Sequence, residues 1–458
     1  MSPQVSSMLI RGRAGLAVNR PNEPVPPGWV WVPVNSVARQ ETGHTPSRSH
    51  PEWWGGDIPW IGIRDARLHH GGVIHDTLQT TNPLGLANSS ARLLPKGTVC
   101  LSRTASVGYV TIMGRDMATS QDFVTWTCSE ALVPEFLVKA LIAEGEGLRK
   151  FGKGTTHTTI YFPEIRALHI CLPPLAEQKR IVAKLDALNA KSARARTELA
   201  RIETLVSRYK QAVLSKAFAA GVNELISPIT AIGDIADVTK GASPKWQGFD
   251  YQESGIRFIR SQNVGWGELL LDDEAFLDER FNLKQRNSVI EENDVLLNIV
   301  GASIGRTAVA DRRLVGANCN QAVALVKPKK RMRASSDYLC YWFQSPIAQG
   351  AIRDGSVDVA RANFSLGEIK KLTLPWPSDE RQHEIVRRIE SAFAKIDRLA
   401  KEAKRALELV GRLDEAILAK AFRGELVPQN ESDEPAVRLL ARIRAEREAA
   451  PKGKRHRT

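Results

Sequence analysis

The sequence predicts an α+β chain in which two mixed α/β domains alternate with two long helices. The helices are expected to pair as an intramolecular antiparallel coiled coil, so that the two halves are related by an approximate two-fold axis. Three observations predict this fold. They are an internal repeat, two segments rich in Gly, Pro and short β-branched runs, and two long helical segments with an apolar seam.

The internal repeat is clearest in two blocks. Residues 168–182 (LHICLPPLAEQKRIV) align with 372–386 (LTLPWPSDERQHEIV), and 210–218 (KQAVLSKAF) align with 414–422 (DEAILAKAF), both at an offset of 204 residues. Weaker matches lie upstream, such as 43–46 (GHTP) against 241–244 (GASP) at an offset of 198. A unit this long is a duplicated domain with its connector, because solenoid repeats are much shorter.

Short β-branched runs between Gly and Pro predict the mixed domains. Runs such as 97–102 (GTVCLS) and 322–328 (AVALVKP) are typical of short strands bounded by tight turns. Residues 134–144 and 337–343 predict one helix in each domain. The chain divides into five predicted segments: a first mixed domain (1–175), a central helix (176–221), a second mixed domain (222–376), a C-terminal helix (377–427) and a basic tail (428–458).

Proline before the start and glycine after the end delimit both long helices. The first follows Pro173 and Pro174 and is predicted to end near Ala220, and the second follows Pro377 and is predicted to end near Arg423. Apolar residues recur at alternating spacings of three and four, a period of 3.5 that predicts a coiled coil. The alternative is that each helix packs on its own domain. The predicted seam, also a candidate partner surface, contains Leu185, Leu188, Leu199, Ile202, Ile389, Ile396, Leu399 and Val410.

The C-terminal tail is basic. Residues 438–458 contain eight Lys or Arg and two Glu. The composition favours a solvated, frayed tail, and the alternatives are a short helix that packs on a partner or an arm that contacts phosphate.

Composition limits the class of protein and its compartment. The net charge of +13 and the pI near 9.6 fit a polyanionic partner. The five cysteines contain no CxxC pair, which argues against a disulfide framework and a zinc ribbon. No apolar run reaches the ~20 residues that span a bilayer, and Arg11 and Arg13 interrupt any signal-like segment. We therefore expect a cytoplasmic protein without a membrane partner.

The catalytic signatures that we sought are missing. Residues 147–154 (GLRKFGKG) approach a P-loop, but Gly154 stands where Ser or Thr would hold magnesium. No GxGxxG follows a predicted strand, and Asn82-Pro83 lacks the Pro and aromatic residue of the amino-methyltransferase motif. The cluster of His69, His70, His75 and Asp76 fits no standard zinc spacing. The sequence therefore predicts no catalytic residue, no metal site and no cofactor in this chain.

Polar residues in Gly-rich loops of both domains are suited to DNA. Arginine pairs with guanine and Asn with adenine, while Lys and Thr more often contact phosphate. The candidate DNA-binding residues are Arg64, Arg103, Lys153, Thr155, Thr156, His157, Arg260, Asn263, Asn298, Arg306, Arg361 and Asn363.

Over its whole length the chain resembles the specificity subunit of type I restriction-modification systems. The most specific match is 172–182 (LPPLAEQKRIV), which resembles the family's proline-rich entry into the first long helix. The turns at 43–46 and 241–244 resemble those that open the two target-recognition domains, and 425–428 (ELVP) resembles the C-terminal run. The second copy departs from this pattern, because Arg381 stands where Glu177 stands in the first.

The resemblance implies a non-catalytic subunit that binds double-stranded DNA. Each recognition domain would recognise one half of a bipartite, non-palindromic target, while the coiled coil would set the gap and bind two adenine-N6 methyltransferase subunits. Those partners would hold S-adenosylmethionine. A translocating nuclease subunit, which uses ATP and Mg, is a further partner that the resemblance allows. Two other functions remain open: a coiled-coil scaffold joining two protein-binding domains without a DNA role, and a complete enzyme that modifies or cuts DNA alone.

Overall fold

The computed structural model describes residues 9–104, 106–152, 158–223, 228–356 and 363–449. The chain forms two compact units. Unit 1 comprises Met1–Thr197 and Leu407–Thr458, and unit 2 comprises Glu198–Ala406. Each unit therefore contains one mixed domain and a part of each long helix, and the boundaries between units fall inside the helices.

The described residues of unit 1 contain twelve strands. They are β1 (Ile10–Arg11), β2 (Leu16–Val18), β3 (Val30–Pro33), β4 (Ala38–Thr42), β5 (Trp54–Ile61), β6 (Val73–Ile74), β7 (Gln79–Thr81), β8 (Val99–Ser102), β9 (Val110–Met113), β10 (Ala118–Thr119), β11 (Phe123–Cys128) and β12 (Leu168–Leu172). Its helices are α1 (Val34–Val37), α2 (Ile63–Leu68), α3 (Pro83–Ala87), α4 (Pro134–Glu144), α5 (Phe162–Arg166) and the first part of α6 (Leu175–Asn223).

In the ranges that the structure describes, unit 2 contains the end of α6 and nine further strands. The strands are β13 (Ile229–Ala231), β14 (Ala236–Lys240), β15 (Ile256–Ile259), β16 (Phe276–Leu277), β17 (Val295–Asn298), β18 (Thr307–Val309), β19 (Asn318–Cys319), β20 (Val323–Pro328) and β21 (Thr373–Pro375). The helices are α7 (Ile232–Ile235), α8 (Arg280–Lys284), α9 (Arg333–Gln344), α10 (Pro346–Asp354), α11 (Leu366–Lys371) and the first part of α12 (Asp379–Phe422), whose end lies in unit 1 with α13 (Ala436–Ala449).

The sheets repeat in the same order in both units. The order β4-β11-β8-β9 in unit 1 matches β14-β20-β17-β18 in unit 2. In each unit a parallel pair follows the same plan, β5 with β10 and β15 with β19. Strand β12, just before α6, pairs antiparallel with β3, as β21 before α12 pairs with β13. The sequence repeat therefore corresponds to a repeated topology.

A buried glutamine attaches the start of each long helix to its mixed domain. The Gln178 amide donates to the Ala131 and Pro173 carbonyl oxygens at 2.9 and 3.0 Å, and its side-chain oxygen accepts from Val133 N–H at 2.9 Å. Gln382, in the same register, donates to the Pro377 carbonyl oxygen at 2.9 Å. Both side chains are fully buried, so their hydrogen bonds fix where each helix begins.

A buried phenylalanine attaches the end of each long helix. In unit 1 the ring of Phe422, at the end of α12, packs 5.4 Å from the ring of Phe136 in α4. In unit 2 the ring of Phe218, near the end of α6, packs edge-on 5.3 Å from Tyr338 in α9. Each unit is thus completed by the start of one long helix and the end of the other.

The two long helices pack antiparallel within each unit, as the sequence predicts. In unit 1 Ile181 and Leu185 share a core with Ala421 and Phe422, while the Ser192 hydroxyl donates to Asp414 at 2.6 Å. In unit 2 Lys210 pairs with Asp397 at 2.6 Å. Helix α6 continues through Gly221 to Asn223, past its predicted end. A glycine inside a helix costs only about 1 kcal/mol, too little to end it.

An N-terminal hairpin is present in unit 1 and pairs with β12. Strands β1 and β2 form this hairpin, and the buried carboxylate of Glu144 accepts hydrogen bonds from the N–H groups of Arg13, Ala14 and Leu16. Burial raises the pKa of Glu144. The Glu144 side chain accepts from three backbone N–H groups of the turn that would otherwise have no hydrogen-bond partner in the interior.

The predicted solvated tail is wrong for the described part of the C-terminus. Helix α13 packs on unit 1, with Ala436 fully buried and Leu439 only 4% exposed. Arg180 of α6 holds the preceding segment through a bidentate pair with Asp433, at 2.6 and 3.2 Å. Although α13 is rich in basic residues, its apolar face packs on the core of unit 1, and burial of that face holds the helix in place.

Replacing Phe422 by Ala should destabilise unit 1, and replacing Phe218 by Ala should destabilise unit 2, each by about 3–5 kcal/mol, because a buried aromatic ring leaves a cavity. Hydrogen exchange measures this locally: Phe422→Ala should lose protection in α4, and Phe218→Ala in α9. Leu409→Ala is the control, since Leu409 is 61% exposed and its loss should cost less than about 0.5 kcal/mol. Unchanged protection in both Phe variants would contradict the assignment.

Candidate nucleic-acid interface

Loops from separate parts of the sequence meet at one edge of the mixed domain in each unit. We call this the loop edge. In unit 1 it comprises residues 43–50, 62–64, 103–108, 120–122 and 158–160, with residue 105 outside the described part of the chain. In unit 2 it comprises residues 241–248, 260–263, 299–306, 320–322 and 363–364.

Three backbone hydrogen bonds join these loops in unit 1. The N–H of His44 donates to the Thr119 carbonyl oxygen at 2.9 Å, and Ser120 N–H to Ile61 O at 3.1 Å. The third bond joins Ile160 N–H to Arg103 O at 2.9 Å. The loops therefore have fixed positions relative to one another.

The same three links recur in unit 2. Ala242 N–H donates to Cys319 O at 3.2 Å, and Asn320 N–H to Ile259 O at 2.9 Å. Phe364 N–H donates to Ile299 O at 2.9 Å. Since the links persist while the side chains around them differ, the two loop edges present different chemistry on one backbone frame.

A close backbone approach explains the glycine that opens each loop edge. A Cβ atom on Gly43 would lie 2.0 Å from the Thr119 carbonyl oxygen, and one on Gly241 would lie 1.8 Å from that of Cys319. Any larger residue would push the loop off its neighbouring strand. Packing therefore explains the glycine that the GHTP and GASP turns share.

Two candidate arginines are held by neighbours at the loop edges. The guanidinium of Arg103 lies 4.4 Å from the centre of the Phe162 ring and donates to the Gln121 carbonyl oxygen at 3.2 Å. Burial lowers the pKa of Arg103, while Asp122 acts in the opposite direction. Arg260 pairs with Asp273 at 2.9 Å, and this hydrogen bond lowers the pKa of the Asp273 carboxyl.

Two candidate asparagines are interior residues. Asn298 is fully buried and its amide donates to the Ser261 carbonyl oxygen at 2.7 Å. Asn263 is 3% exposed and its amide donates to the Leu270 and Asp273 carbonyl oxygens at 2.8 and 3.0 Å. Their burial corrects the prediction that they contact bases. Their amides instead hold the loops of the unit 2 edge in place.

The family model described as type I restriction modification DNA specificity domain matches the chain twice, over residues 26–204 and 229–409. These two matches cover most of the chain and coincide with its internal repeat. The chain belongs to the type I restriction-modification DNA specificity family. It is therefore a DNA-recognition subunit without a catalytic role, as the sequence predicts.

Individual relatives agree with this membership. The chain is 31% identical over 369 residues to the EcoBI specificity subunit of Escherichia coli, covering 71% of the chain and 77% of the relative. It is 26% identical to the EcoKI specificity subunit of Escherichia coli strain K12, covering 93% and 97%. A solved structure from work on complex assembly of the type I R-M system covers 88% of the chain and 100% of its own, with a TM-score of 0.64 and 20% identity, which shows the shared fold.

The other candidate DNA-binding residues of this specificity chain differ in exposure. Arg64 and Asn363 are exposed at the loop edges of unit 1 and unit 2, and Arg306 is half-buried. Lys153, Thr155, Thr156, His157 and Arg361 lie outside the described residues.

The predicted seam residues of the long helices are not equally covered. Leu185 and Ile389 are fully buried, near the helix starts. Leu188 and Val410 are half-buried, whereas Leu399 is 59% exposed. In unit 2 the helices border an apolar cavity of about 430 Å³, lined partly by Leu199, Ile202, Ile396, Leu399 and Ala403.

The departure at Arg381 has a local structural explanation. In unit 1 the Glu177 carboxylate accepts a hydrogen bond from the Trp29 indole at 3.0 Å, and burial raises the pKa of Glu177. In unit 2 Arg381, at the equivalent position, pairs with Glu384 one turn along α12. The repeated position therefore carries an acidic residue in unit 1 and a basic residue in unit 2, and each side chain is bonded within its own unit.

Other chemistry at the described residues is limited. No group of three or more His, Cys, Asp or Glu among them is placed to hold a metal ion. Burial raises the pKa of Cys100 and Cys319 to about 12, which keeps both thiols protonated at neutral pH. No helix in the described ranges combines the length and apolar composition of a membrane span.

The sequence-based list of DNA-binding candidates does not contain Thr45, Gln121 or Trp246, which lie at the loop edges. The Thr45 hydroxyl bonds the side-chain oxygen of the exposed Gln121 at 2.6 Å. Trp246 is 88% exposed. The signal available was their position just after, or packed against, the repeated GHTP and GASP turns.

Asn298→Asp should destabilise unit 2 by about 1–3 kcal/mol, because the isosteric carboxylate places an acceptor against the Ser261 carbonyl oxygen. Hydrogen exchange of residues 259–263 and 295–300 would report the loss. The matched control is Asn363→Asp on the same loop edge, where the side chain is exposed and protection should not change. Equal effects of the two variants would contradict the structural role of Asn298.

Proposed function

We propose that each unit recognises one half of a bipartite DNA target through its loop edge. The observation that carries this proposal is the duplicated loop edge, in which the same backbone links hold different side chains. A duplicated frame suits duplex DNA, whose backbone has local two-fold symmetry. Because the side chains of the two loop edges differ, the two half-sites differ and the target is not a palindrome.

We also propose that the long helices bind two adenine-N6 methyltransferase subunits. Exposed apolar side chains on these helices support this part of the proposal, because large apolar side chains left in contact with water on a helix surface favour a protein partner. They include Leu205, Tyr209, Leu399, Leu409 and Leu413, which are 42–61% exposed. The repeat gives both units a similar helical surface, which suits two copies of one partner.

The proposed partners supply the chemistry that this chain lacks. The methyltransferase subunits hold S-adenosylmethionine and take the target adenine out of the stack. A nuclease subunit, where one joins, binds ATP and Mg. The chain itself contributes the choice of sequence.

Arg64→Ala and Arg306→Ala should each weaken binding of the complex with its methyltransferase partners to a target duplex by about 1–3 kcal/mol. Fluorescence anisotropy across a salt series is the measurement. A phosphate contact should lower the salt slope by about 1, whereas a base contact should relax the preference at one position. Lys96→Ala is the charge-matched control and should bind as wild type, because Lys96 is exposed and precedes β8, at the end of that strand away from the loop edge. Salt-independent binding by the wild-type complex would remove the DNA role.

Shortening both long helices should shorten the gap between the half-sites. Removing residues 198–204 and 402–408 deletes one heptad from each helix and keeps the seam aligned on both sides. Seven residues span about 10.5 Å, or roughly three base pairs. Mapping of N6-methyladenine in cells carrying the variant should show both half-sites unchanged and the gap reduced by about three.

The proposal that the long helices set the gap is contradicted if the doubly shortened variant methylates targets with the original gap. A variant shortened only in α6 is the control, because its two helices then differ in length by one heptad, so both units cannot keep their helix contacts and the chain should not fold. Circular dichroism distinguishes loss of folding from loss of recognition.

A further inference from the structure

Trp246 is the most exposed of the large apolar side chains that the structure describes, at 88%. It lies in the middle of a short 3-10 turn, Lys245–Gln247, in the loop that follows β14. An indole is a large, mostly apolar group that proteins ordinarily cover. Because it lies on the loop edge of unit 2, this indole is available to contact a ligand bound there.

The turn that carries Trp246 is held by several hydrogen bonds. The N–H of Gln247 donates to the Pro244 and Ser243 carbonyl oxygens at 2.9 and 3.2 Å, and Phe249 N–H donates to Pro244 O at 3.0 Å. Gly248 has φ +82°, a left-handed conformation that favours glycine. The indole therefore projects from a fixed base.

Contacts with α8 hold the same turn from the other side. Lys284 donates to the Gln247 carbonyl oxygen at 2.9 Å, and the Phe249 ring packs edge-on 5.3 Å from Phe281. A projecting indole on a fixed turn loses little conformational freedom when it binds.

Cationic side chains border this turn. Lys245 is part of the turn and Lys284 donates to it, and both side chains are exposed. The turn also starts beside the link between Ala242 and Cys319, so it belongs to the loop edge. Duplex DNA fits both features of this turn. Its phosphates attract the cationic side chains, and its stacked bases offer flat surfaces to the indole.

The corresponding segment of unit 1 presents no comparable indole. Trp53 stacks on the His50 ring at 4.1 Å. The Arg48 guanidinium covers Trp54 at 4.2 Å, and Trp60 packs edge-on against the same ring at 5.1 Å. The uncovered indole therefore belongs to the loop edge of unit 2, and any role of it in DNA recognition concerns the half-site that unit 2 recognises.

We propose that Trp246 inserts its indole between two stacked base pairs of the half-site recognised by unit 2, and so selects a base step that unstacks easily. Pyrimidine–purine steps are the most easily kinked, so the half-site should contain one at this point. This inference rests on the proposed DNA recognition and adds a determinant of specificity to it.

The test is 2-aminopurine fluorescence in the mapped target duplex, with the probe placed in turn at each position of both half-sites and bound by the wild-type complex. Unstacking raises this fluorescence. The adenines that the methyltransferase subunits take out of the stack should show it with or without Trp246, and a further rise that depends on Trp246 is expected at one other step of the unit 2 half-site. Trp246→Ala should abolish this further rise and weaken binding about tenfold, the usual size of one lost aromatic–base stack. Its salt slope should stay unchanged, because no phosphate contact is removed. Trp246→Phe should recover part of both signals.

Trp266→Ala is the matched control. Trp266 is also exposed, at 51%, but its turn is tied to β18 by the bond from Gly267 N–H to Thr307 O at 2.8 Å, and its side chain lines a cavity beside α6, α9 and α12. This variant should bind and unstack DNA as wild type. Wild-type binding with no rise beyond the adenines that are methylated, or undiminished binding by Trp246→Ala, overturns the insertion. Failure of the wild-type complex to bind the duplex overturns the proposed function as well.

Discussion

Each compact unit depends on a long helix that ends inside its core. Phe422 of α12 completes unit 1 against Phe136, and Phe218 of α6 completes unit 2 against Tyr338. Because each unit also contains the start of the other helix, neither half of the sequence encodes a complete unit. Packing of either unit therefore requires helix segments from both halves of the chain.

Charge at one repeated position helps to specify which helix segments pair. Asp414 in α12 pairs with Arg196, while Lys210, at the equivalent position of α6, pairs with Asp397. A second copy of α6 in place of α12 would set Lys210 against Arg196, two like charges. Exposed ion pairs contribute little to stability, but such repulsion disfavours the wrong pairing and register.

The sequence was informative where local chemistry decides structure. Helix starts, the seam and the repeat follow from proline positions and apolar spacing, so α6, α12 and their pairing were predictable. The packing of α13 on unit 1 was not, because the core that Ala436 and Leu439 cover is formed by residues far away in the sequence. The candidate site shows the same division. An asparagine in a Gly-rich stretch favours a base contact at Asn298. Only the fold shows that this side chain is buried and that its amide donates to the Ser261 carbonyl oxygen.

Exchanging one mixed domain for a copy of the other tests most directly whether both domains fit the same helices and whether each domain sets its own half of the target. Residues 38–164 and 236–368 start and end at equivalent positions, Ala38 with Ala236 and Glu164 with Glu368. Replacing 236–368 by a second copy of 38–164 should fold, and mapping of N6-methyladenine should give a palindromic target with the unit 1 half-site on both sides. A target that keeps its original second half would contradict the account.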